Sequence, residues 1–342
     1  HGNLTLNNYN SIDTSALRLS GMLRYDNLWQ KEHSVSLQYL TSPEDTSQVK
    51  VWSGTYLARS AFTRNLLAFY AVHSDSNIAA VGALAVVGKG DIAGLHAIFP
   101  LPGTRHFVHD VTFGVAYKHF KQNVLLLGAD NLSTPIEYVP FTVQYQGTKF
   151  GDNATTEFGA SVHFGIRGLV NSAREFENKR YNSKPNYFYL KARVERRQRL
   201  YRGIGLRLEA KGQLADSPLI SNEELSAGGP GSVRGYHRSE RFGDDAIQGT
   251  VELLSPHLVW GSWAVHVQEF RALAFWDGAA LWVKNALPGQ PGGYVLTSAG
   301  VGLRLSAWQH FDASLDVAQV YHTTSTMKKD AKRIVFKVEY SF

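Results

Sequence analysis

Residues 188–195 read Phe-Tyr-Leu-Lys-Ala-Arg-Val-Glu, a stretch in which apolar and polar side chains alternate almost one by one. Because successive side chains of a β-strand point to opposite faces, it predicts a strand with one apolar and one polar face. Residues 202–215 repeat the pattern. The apolar sets are Phe188, Leu190, Ala192, Val194 and Ile204, Leu206, Leu208, Ala210, and the opposite sets are Tyr189, Lys191, Arg193, Glu195 and Arg207, Glu209, Lys211. Such strands lie between two different solvents.

Two fold classes accommodate this alternation. A soluble β-sandwich would bury the apolar face in a core, whereas a transmembrane barrel would present it to lipid and the charged face to a watery lumen. The strand count and the pattern of connections favour the barrel. We therefore predict an all-β fold, a 16-stranded antiparallel transmembrane β-barrel. The predicted strands are residues 2–11, 15–26, 33–41, 49–59, 65–74, 90–100, 106–119, 135–147, 154–166, 186–198, 202–215, 246–255, 262–283, 294–307, 310–322 and 332–342.

Short and long connections alternate along the predicted barrel. Those after even-numbered strands are mostly short, as at 26–31 and 308–310, whereas those after odd-numbered strands are longer and more polar, as at 167–185 and 216–245. Short turns at one rim and long loops at the other are typical of outer-membrane barrels. Because the strand number is even, both termini should lie on the short-turn side, which we expect to be periplasmic. Near Glu269 the alternation of strand thirteen changes, which predicts a β-bulge.

The last predicted strand ends on an aromatic residue, Phe342. This ending resembles the signal by which outer-membrane proteins are recognised for insertion, so we expect contact with the barrel assembly machinery. An ordinary amphipathic last strand is the alternative interpretation. The alternating sets are Ile334, Phe336, Val338, Tyr340, Phe342 and Arg333, Lys337, Glu339, Ser341.

Composition narrows the class of protein. The 342 residues include no Cys, which excludes disulfides, thiolate metal sites and a Cys nucleophile. The net charge of +6 is spread among acidic residues and forms no basic tract, so nucleic acid is not an expected partner. The longest apolar run, at 78–87, is too short for a membrane-spanning helix. No export signal precedes His1, so we expect a mature chain or one that has lost its upstream part.

Catalytic and metal-binding motifs are missing from the sequence. The 13 histidines form no metal-ligand spacing, and there is no G-x-S-x-G elbow, Walker loop or dinucleotide fingerprint. We predict no catalytic residue, no metal site, no cofactor and no enzyme activity. The acidic pairs Glu223-Glu224 and Asp244-Asp245 could serve acid–base chemistry, but their position in a long loop predicts solvated charges.

The longest loop contains Leu-Ser-Ala-Gly-Gly-Pro-Gly-Ser-Val-Arg-Gly-Tyr at 225–236, which is too rich in glycine for a strand and suited to close packing. It resembles the VRGY loop of the superfamily that contains barrel assembly factors and two-partner secretion translocators. The resemblance implies that this extracellular loop folds back into the lumen. The matching residues are Gly228, Gly229, Ser232, Val233, Arg234, Gly235 and Tyr236.

In that superfamily the loop arginine pairs with an aspartate of an inner-wall motif, F-x-D-x-G. Here Phe275-Trp-Asp277-Gly278 stands on the thirteenth strand, with the glycine displaced by one position. A guanidinium can hold a carboxylate through two hydrogen bonds, so the resemblance implies an Arg234–Asp277 pair that fixes the loop. A solvated arginine and an ordinary turn aspartate are the alternatives. The displaced glycine leaves the local backbone geometry of the wall motif open.

Further motifs are similar to the haemolysin secretion and activation branch. They are Ser42-Pro-Glu-Asp, Val72-His-Ser-Asp-Ser, Gly88-Lys-Gly-Asp91 and Pro100-Leu-Pro-Gly103. The resemblance covers nearly the whole chain, so residues 1–342 are expected to be one barrel domain. Members of that branch also carry a plug helix and two periplasmic transport-associated domains upstream, and none of these is in this sequence.

The resemblance implies a monomeric protein of the Gram-negative outer membrane, in contact with lipid and lipopolysaccharide, that secretes an unfolded exoprotein of haemolysin or adhesin type through its lumen without nucleotide hydrolysis. An assembly factor that inserts barrels by opening the seam between its first and last strands would share the same arginine and aspartate. A passive porin also has sixteen strands in typical cases, but it gives no reason for the VRGY sequence.

Overall fold

The fold is a closed barrel of sixteen antiparallel strands, seen in a computed structural model. The structure describes residues 1–342 except 13, 61–62, 77, 82–83, 122, 126–130, 171 and 260–264. Within residues 78–81, 84–87, 123–125 and 131–133, only the backbone is described.

The sixteen barrel strands are numbered in chain order. They are β1 (Gly2–Asn7), β2 (Arg18–Leu28), β3 (His33–Thr41), β4 (Lys50–Arg59), β5 (Leu66–Ser74), β6 (Gly90–Pro100), β7 (Phe107–Phe120), β8 (Ile136–Tyr138 with Pro140–Phe150), β9 (Ala154–Gly165), β10 (Phe188–Arg199), β11 (Gly205–Ala215), β12 (Asp245–Leu254), β13 (Val267–Trp282), β14 (Gly293–Ala307), β15 (Phe311–Val320) and β16 (Lys332–Ser341). The two segments of β8 pair with β7 in one register and form a single strand.

Each strand pairs with its neighbours in sequence, and β1 pairs with β16 to close the barrel. This closing pair is short, running from Asn3 opposite Ser341 to Asn7 opposite Lys337. A closed barrel leaves no strand edge unpaired, which the hydrocarbon layer of a membrane demands. The predicted fold class is therefore confirmed.

The predicted alternation is confirmed on β10. On β10, Phe188 and Val194 are exposed on the outer face, whereas Tyr189 and Glu195 are buried in the interior. The predicted bulge is also present, because the register between β13 and β14 shifts between Val267 and Glu269. The first predicted strand was too long: Asn7 accepts a bond from the backbone N–H of Tyr9 (3.0 Å), and the chain leaves the ladder there.

The alternation of short turns and long loops is confirmed as well. Short turns such as 151–153 and 308–310 lie at one end of the barrel, which also holds both termini, and the loops 166–187 and 216–244 lie at the other. The predicted strand residues 262–264 lie outside the described part of the chain. Among the residues that the structure describes, no helix has the length and apolar character needed to cross a membrane.

The long loops contain short elements of their own, which the sequence prediction did not include. They are the strand pairs Ile78–Val81 with Leu84–Val87, Asn123–Leu125 with Asn131–Ser133 and Leu225–Ala227 with Arg241–Gly243, and the helix α1, Ala173–Lys179; a 3₁₀ turn, Tyr201–Gly203, lies in a short connection. An apolar cluster fills the lumen at the long-loop end, where Leu219 and Ile220 pack with Phe176 of α1 and Tyr187. The barrel interior is therefore partly a packed core.

Candidate functional site in the lumen

The loop 216–244 folds back into the barrel and carries the candidate site. Its tip is a tight turn in which the N–H of Gly229 bonds to the carbonyl of Val233 (3.1 Å) and the N–H of Ser232 to that of Gly229 (3.0 Å). Gly228 has a φ of 115°, and a Cβ there would lie 2.4 Å from the carbonyl oxygen of His237. Glycine is thus required where the two arms of the loop approach each other.

Arg234 and Asp277 meet inside the barrel. The guanidinium donates two bonds to the carboxylate, Nε to Oδ2 at 2.7 Å and Nη2 to Oδ1 at 2.8 Å, and the backbone N–H of Arg234 donates a third at 3.1 Å. Asp277 is fully buried and Arg234 is 4% exposed. Breaking a buried pair by removing one partner costs about 3–5 kcal/mol, so the geometry can hold the loop against the wall.

Other wall residues complete the surroundings of Arg234. Its Nη1 donates to Glu252 Oε1 of β12 at 2.6 Å and lies 3.9 Å from Asp316 Oδ2 of β15. The ring of Phe275 stacks under the guanidinium, with its centroid 3.5 Å from Cζ. Phe275, which the sequence placed in the wall motif, therefore shapes the seat of the arginine through a cation–π contact.

The displaced glycine of the wall motif does not disturb β13. Asp277 pairs with Ser298 and Gly278 with Thr297 in regular register. Gly278 points outward beneath the ring of Trp276, where a Cβ would lie 2.7 Å from the indole. The inward position that follows Asp277 is taken by Ala279, which is buried against the loop.

The rest of the motif packs against the wall through Val233, Gly235 and Tyr236. Val233 and Tyr236 are fully buried. The Tyr236 hydroxyl donates to the carbonyl of His322 (2.9 Å) and accepts from its N–H (3.0 Å). Gly235 has a φ of 92° and packs against Val320. The loop is thus fixed to β15 and the connection after it as well as to β13.

A ladder of alternating charges covers the lumen wall from β10 to β12. Glu195 accepts a hydrogen bond from Arg207 (2.9 Å) and forms an ion pair with Arg197 (2.7 Å), and Arg207 also bridges to Glu209 (2.6 Å) and Glu252 (3.2 Å). Since Glu252 is also a partner of the loop arginine, the ladder continues into the site. The wall presents both signs of charge to whatever occupies the lumen.

Glu223 anchors the base of the loop to the part of the wall formed by β7, β8 and β10, whereas the sequence predicted a solvated charge. That prediction is wrong. The buried carboxylate accepts bonds of 2.6 Å from Lys118 of β7, Tyr138 of β8 and Tyr189 of β10. Burial alone would raise the pKa of Glu223, but Lys118 and the two tyrosines lower it to about 2. The partners come from three distant strands, so no local pattern could reveal them.

A second correction concerns Asp244, Asp245 and Glu224. Arg180, next to α1, donates two bonds to the fully buried Asp244 (2.9 and 2.6 Å) and one to Glu224. Asp245, also partly buried, pairs with Lys284 (2.7 Å). These carboxylates bind the loop to the connections that follow α1 and β13. The only sequence signal for this pairing is that each connection contains a basic residue, Arg180 or Lys284.

Phe342 lies at the short-turn end, where its N–H and carbonyl exchange bonds with Gly2 (2.9 and 2.8 Å). The side chain is exposed on the outer surface. Among the described residues, no group of three or more His, Asp or Glu side chains could hold a metal ion.

Comparison with known proteins shows the family to which this chain is related. The family described as haemolysin secretion/activation protein ShlB/FhaC/HecB matches residues 109–305, which include the loop, Arg234 and Asp277. The chain belongs to this family. Members of the haemolysin secretion/activation family are protein transporters of the Gram-negative outer membrane, not a class of enzyme. A comparison with curated proteins gives no match.

Solved structures share the fold of this family member over its whole length. CdiB from Escherichia coli has a TM-score of 0.78 at 17% identity, and CdiB from Acinetobacter baumannii 0.71 at 16%. BamA from Haemophilus ducreyi lacking POTRA domains 1–3 has 0.70 at 15%. All three cover 100% of this chain, which spans 62%, 60% and 70% of theirs.

Proposed function

We propose that this barrel secretes an unfolded partner polypeptide, an exoprotein of haemolysin or adhesin type, through its lumen without nucleotide hydrolysis. The observation that carries the proposal is the buried Arg234–Asp277 pair, which holds the loop inside a barrel of the secretion family. A passive porin offers no reason for the sequence from Val233 to Tyr236. The mixed charges of the wall suit a hydrated passage with weak attachment to any one sequence.

The remaining partners belong to the same proposal. We expect a plug helix and periplasmic domains upstream of residue 1, with both termini in the periplasm and substrate recognition mainly in those domains. The outward apolar face, including Phe188 and Val194, would contact lipid and lipopolysaccharide. The barrel assembly machinery would read the Phe342 ending during insertion, and the inserted barrel would act as a monomer.

Single-channel conductance in planar bilayers tests the proposal. We compare the native chain with Arg234→Ala and Asp277→Ala and expect larger or noisier openings in both variants, because each leaves a buried charge without its partner. Exposed Arg174→Ala, on α1, serves as the matched control and should conduct like the native chain. Unchanged, stable pores in both lumen variants would return the porin interpretation.

A secretion assay tests the division of labour. The 342-residue barrel should insert and conduct ions, but it should fail to secrete the partner exoprotein unless the upstream domains are restored. Secretion by the barrel alone would contradict this proposal, whatever the conductance shows.

The assembly-factor alternative has one observation in its favour. The pair of β1 and β16 is short, and β1 is only six residues long, so this seam needs the fewest backbone bonds broken to open. Two upstream periplasmic domains would favour secretion, and several would favour assembly.

A further inference from the structure

The loop divides the lumen, and the part beside the closing seam contains a cavity of about 340 Å³. It lies between β1, β2, β3, β16 and the loop residue Arg238. Its lining is almost entirely polar near the seam, with Asn3, Thr5, Asn7, Ser20 and Gln38 among the lining residues.

The charges around this cavity do not balance. Of its two cations on the strands, Lys337 pairs with Glu339 (2.7 Å), the one acidic residue among the described residues of the lining. Arg18 is 4% exposed and, within the described part of the chain, bonds only to neutral oxygens: the carbonyls of Ser15 (2.7 Å) and Leu17 (2.8 Å) and the hydroxyl of Thr14. Among the described residues, its buried charge therefore has no bonded carboxylate.

Arg238 adds a second uncompensated cation from the loop side. Among the described residues, its guanidinium forms no hydrogen bond and no ion pair. It lies over the ring of Tyr9 in a cation–π contact, with Cζ 5.9 Å from the ring centroid. Burial lowers the pKa of Arg238, as expected for a cation that loses water and gains no acid. Glu44, outside the lining, bonds to the N–H of Leu17 (2.9 Å).

Buried polar groups are normally paired, and a buried cation without an acid is costly. On the wall from β10 to β12, by contrast, Arg207 is paired with the carboxylates of Glu195 and Glu252. In the seam-side cavity, two arginines line the same volume without a bonded acid among the described residues. The carboxylate of a ligand in the cavity would supply the missing negative charge.

We propose that this cavity is a binding site for carboxylate groups, with Arg238 and Arg18 as its two cations, and that it takes acidic side chains of a polypeptide in the lumen. The carboxylate chemistry rests on the cavity alone. The polypeptide as its source rests on the proposed function.

Binding of labelled peptides to the folded chain in detergent micelles tests the site without requiring an open channel. Fluorescence anisotropy compares hexaglutamate with hexaglutamine of the same length. Hexaglutamate should bind, and Arg238→Gln and Arg18→Gln should each weaken it about tenfold, the usual effect of one charge-assisted bond. Arg174→Gln, on the exposed face of α1, removes the same charge outside the lumen and should change nothing.

Arg238→Lys, which keeps the charge, should retain most of the affinity, and migration of the unheated barrel on gels verifies that each variant is folded. Equal binding of hexaglutamate to folded Arg238→Gln, or equal binding of hexaglutamine, would overturn the site. If acetate or phosphate displaced hexaglutamate at the peptide's own concentration, the cavity would be a site for small anions. That result would overturn the proposal that the carboxylates come from a polypeptide. The peptide assay does not measure secretion. A failed secretion assay would therefore contradict the proposed function without changing the result for the cavity.

Discussion

Gly235, like Gly228, is a residue at which the loop has little freedom to change. Its φ of 92° lies in the left-handed region, and an added Cβ would lie 2.8 Å from Val320 Cγ1 and 3.1 Å from Ala318 Cβ. Both the backbone conformation and the space therefore exclude a side chain. Gly231, in the same loop, has neither constraint, because a Cβ added there would meet no other described side chain or backbone within 4 Å.

Gly235→Ala should weaken the seated loop by about 1–3 kcal/mol, the cost of a strained backbone position. We expect faster trypsin cleavage after Arg234 or Arg238 in the folded barrel, since the loop would spend more time unseated. Gly231→Ala is the matched control and should be cleaved at the native rate. Equal rates for the two variants would show that the contact with β15 does not hold the loop.

At this scale the sequence predicted the loop tip and missed its base. Arg234 and Asp277 stand in local motifs whose resemblance implies that they pair. Glu223 stands in no such motif, because Lys118, Tyr138 and Tyr189 come from strands far away in the chain. Neighbouring acidic residues in a loop give no sign of whether water or an arginine neutralises them.

An ion cluster of Arg180, Asp244 and Glu224 joins the loop 166–187 to the loop 216–244. One guanidinium faces two carboxylates, and Asp244 also accepts the N–H groups of Leu219 (2.6 Å) and Lys284 (2.7 Å). Asp244 is therefore the better stabilised anion. Burial raises the pKa of Glu224 to about 7, and the charge of Asp244 adds to the rise although Arg180 opposes it.

Because the pKa of Glu224 is higher in the folded state than its ordinary 4.5, the folded cluster gains stability as pH falls through about 7 and loses it as pH rises from about 4.5 to 7. Protection factors for hydrogen exchange of residues 216–224, which remove the intrinsic rise of amide exchange with pH, should be several-fold higher at pH 6 than at pH 8. Glu224→Gln should abolish this difference in protection, whereas Glu177→Gln on the exposed face of α1 should keep it. Equal protection factors at both pH values in the native chain would contradict the shared-arginine account.

Strands were easier to predict than the elements within loops. Period-two alternation continues through each strand, so β10 and β11 were found with errors of a few residues. Strand ends depend on single bonds such as that between Asn7 and Tyr9. Helix α1 did have a signal, since the Ser172 side chain accepts from the N–H of Glu175 (3.4 Å) ahead of a helix-forming segment.

For the whole molecule, the seam between β1 and β16 distinguishes secretion through the lumen from insertion through an opened wall. Asn3 and Ser341 face each other across it and point inward. They flank the pair of Gly2 and Phe342, which exchanges both backbone bonds, so they form a non-hydrogen-bonded pair with closely spaced Cα atoms. Residues 1–342 contain no Cys, so two introduced cysteines have no competing partner within the barrel.

Asn3→Cys with Ser341→Cys should form a disulfide across the seam. In the protein with its upstream domains, we expect secretion of the exoprotein to continue at the native level under oxidising conditions, because the passage runs through the lumen. The same double variant under reducing conditions is the control. Loss of secretion that a reductant restores would favour the assembly-factor mechanism.

The loop is bonded to two separate parts of the wall, to Asp277 on β13 and through Glu223 to Lys118, Tyr138 and Tyr189 on β7, β8 and β10. A tie between two separate parts of a cylinder's wall resists a change in the distance between them. While both attachments hold, a deformation of the barrel that changes this distance strains at least one of them. Departure of the loop would therefore do more than clear space: it would leave a softer wall whose width could adjust to the chain inside it.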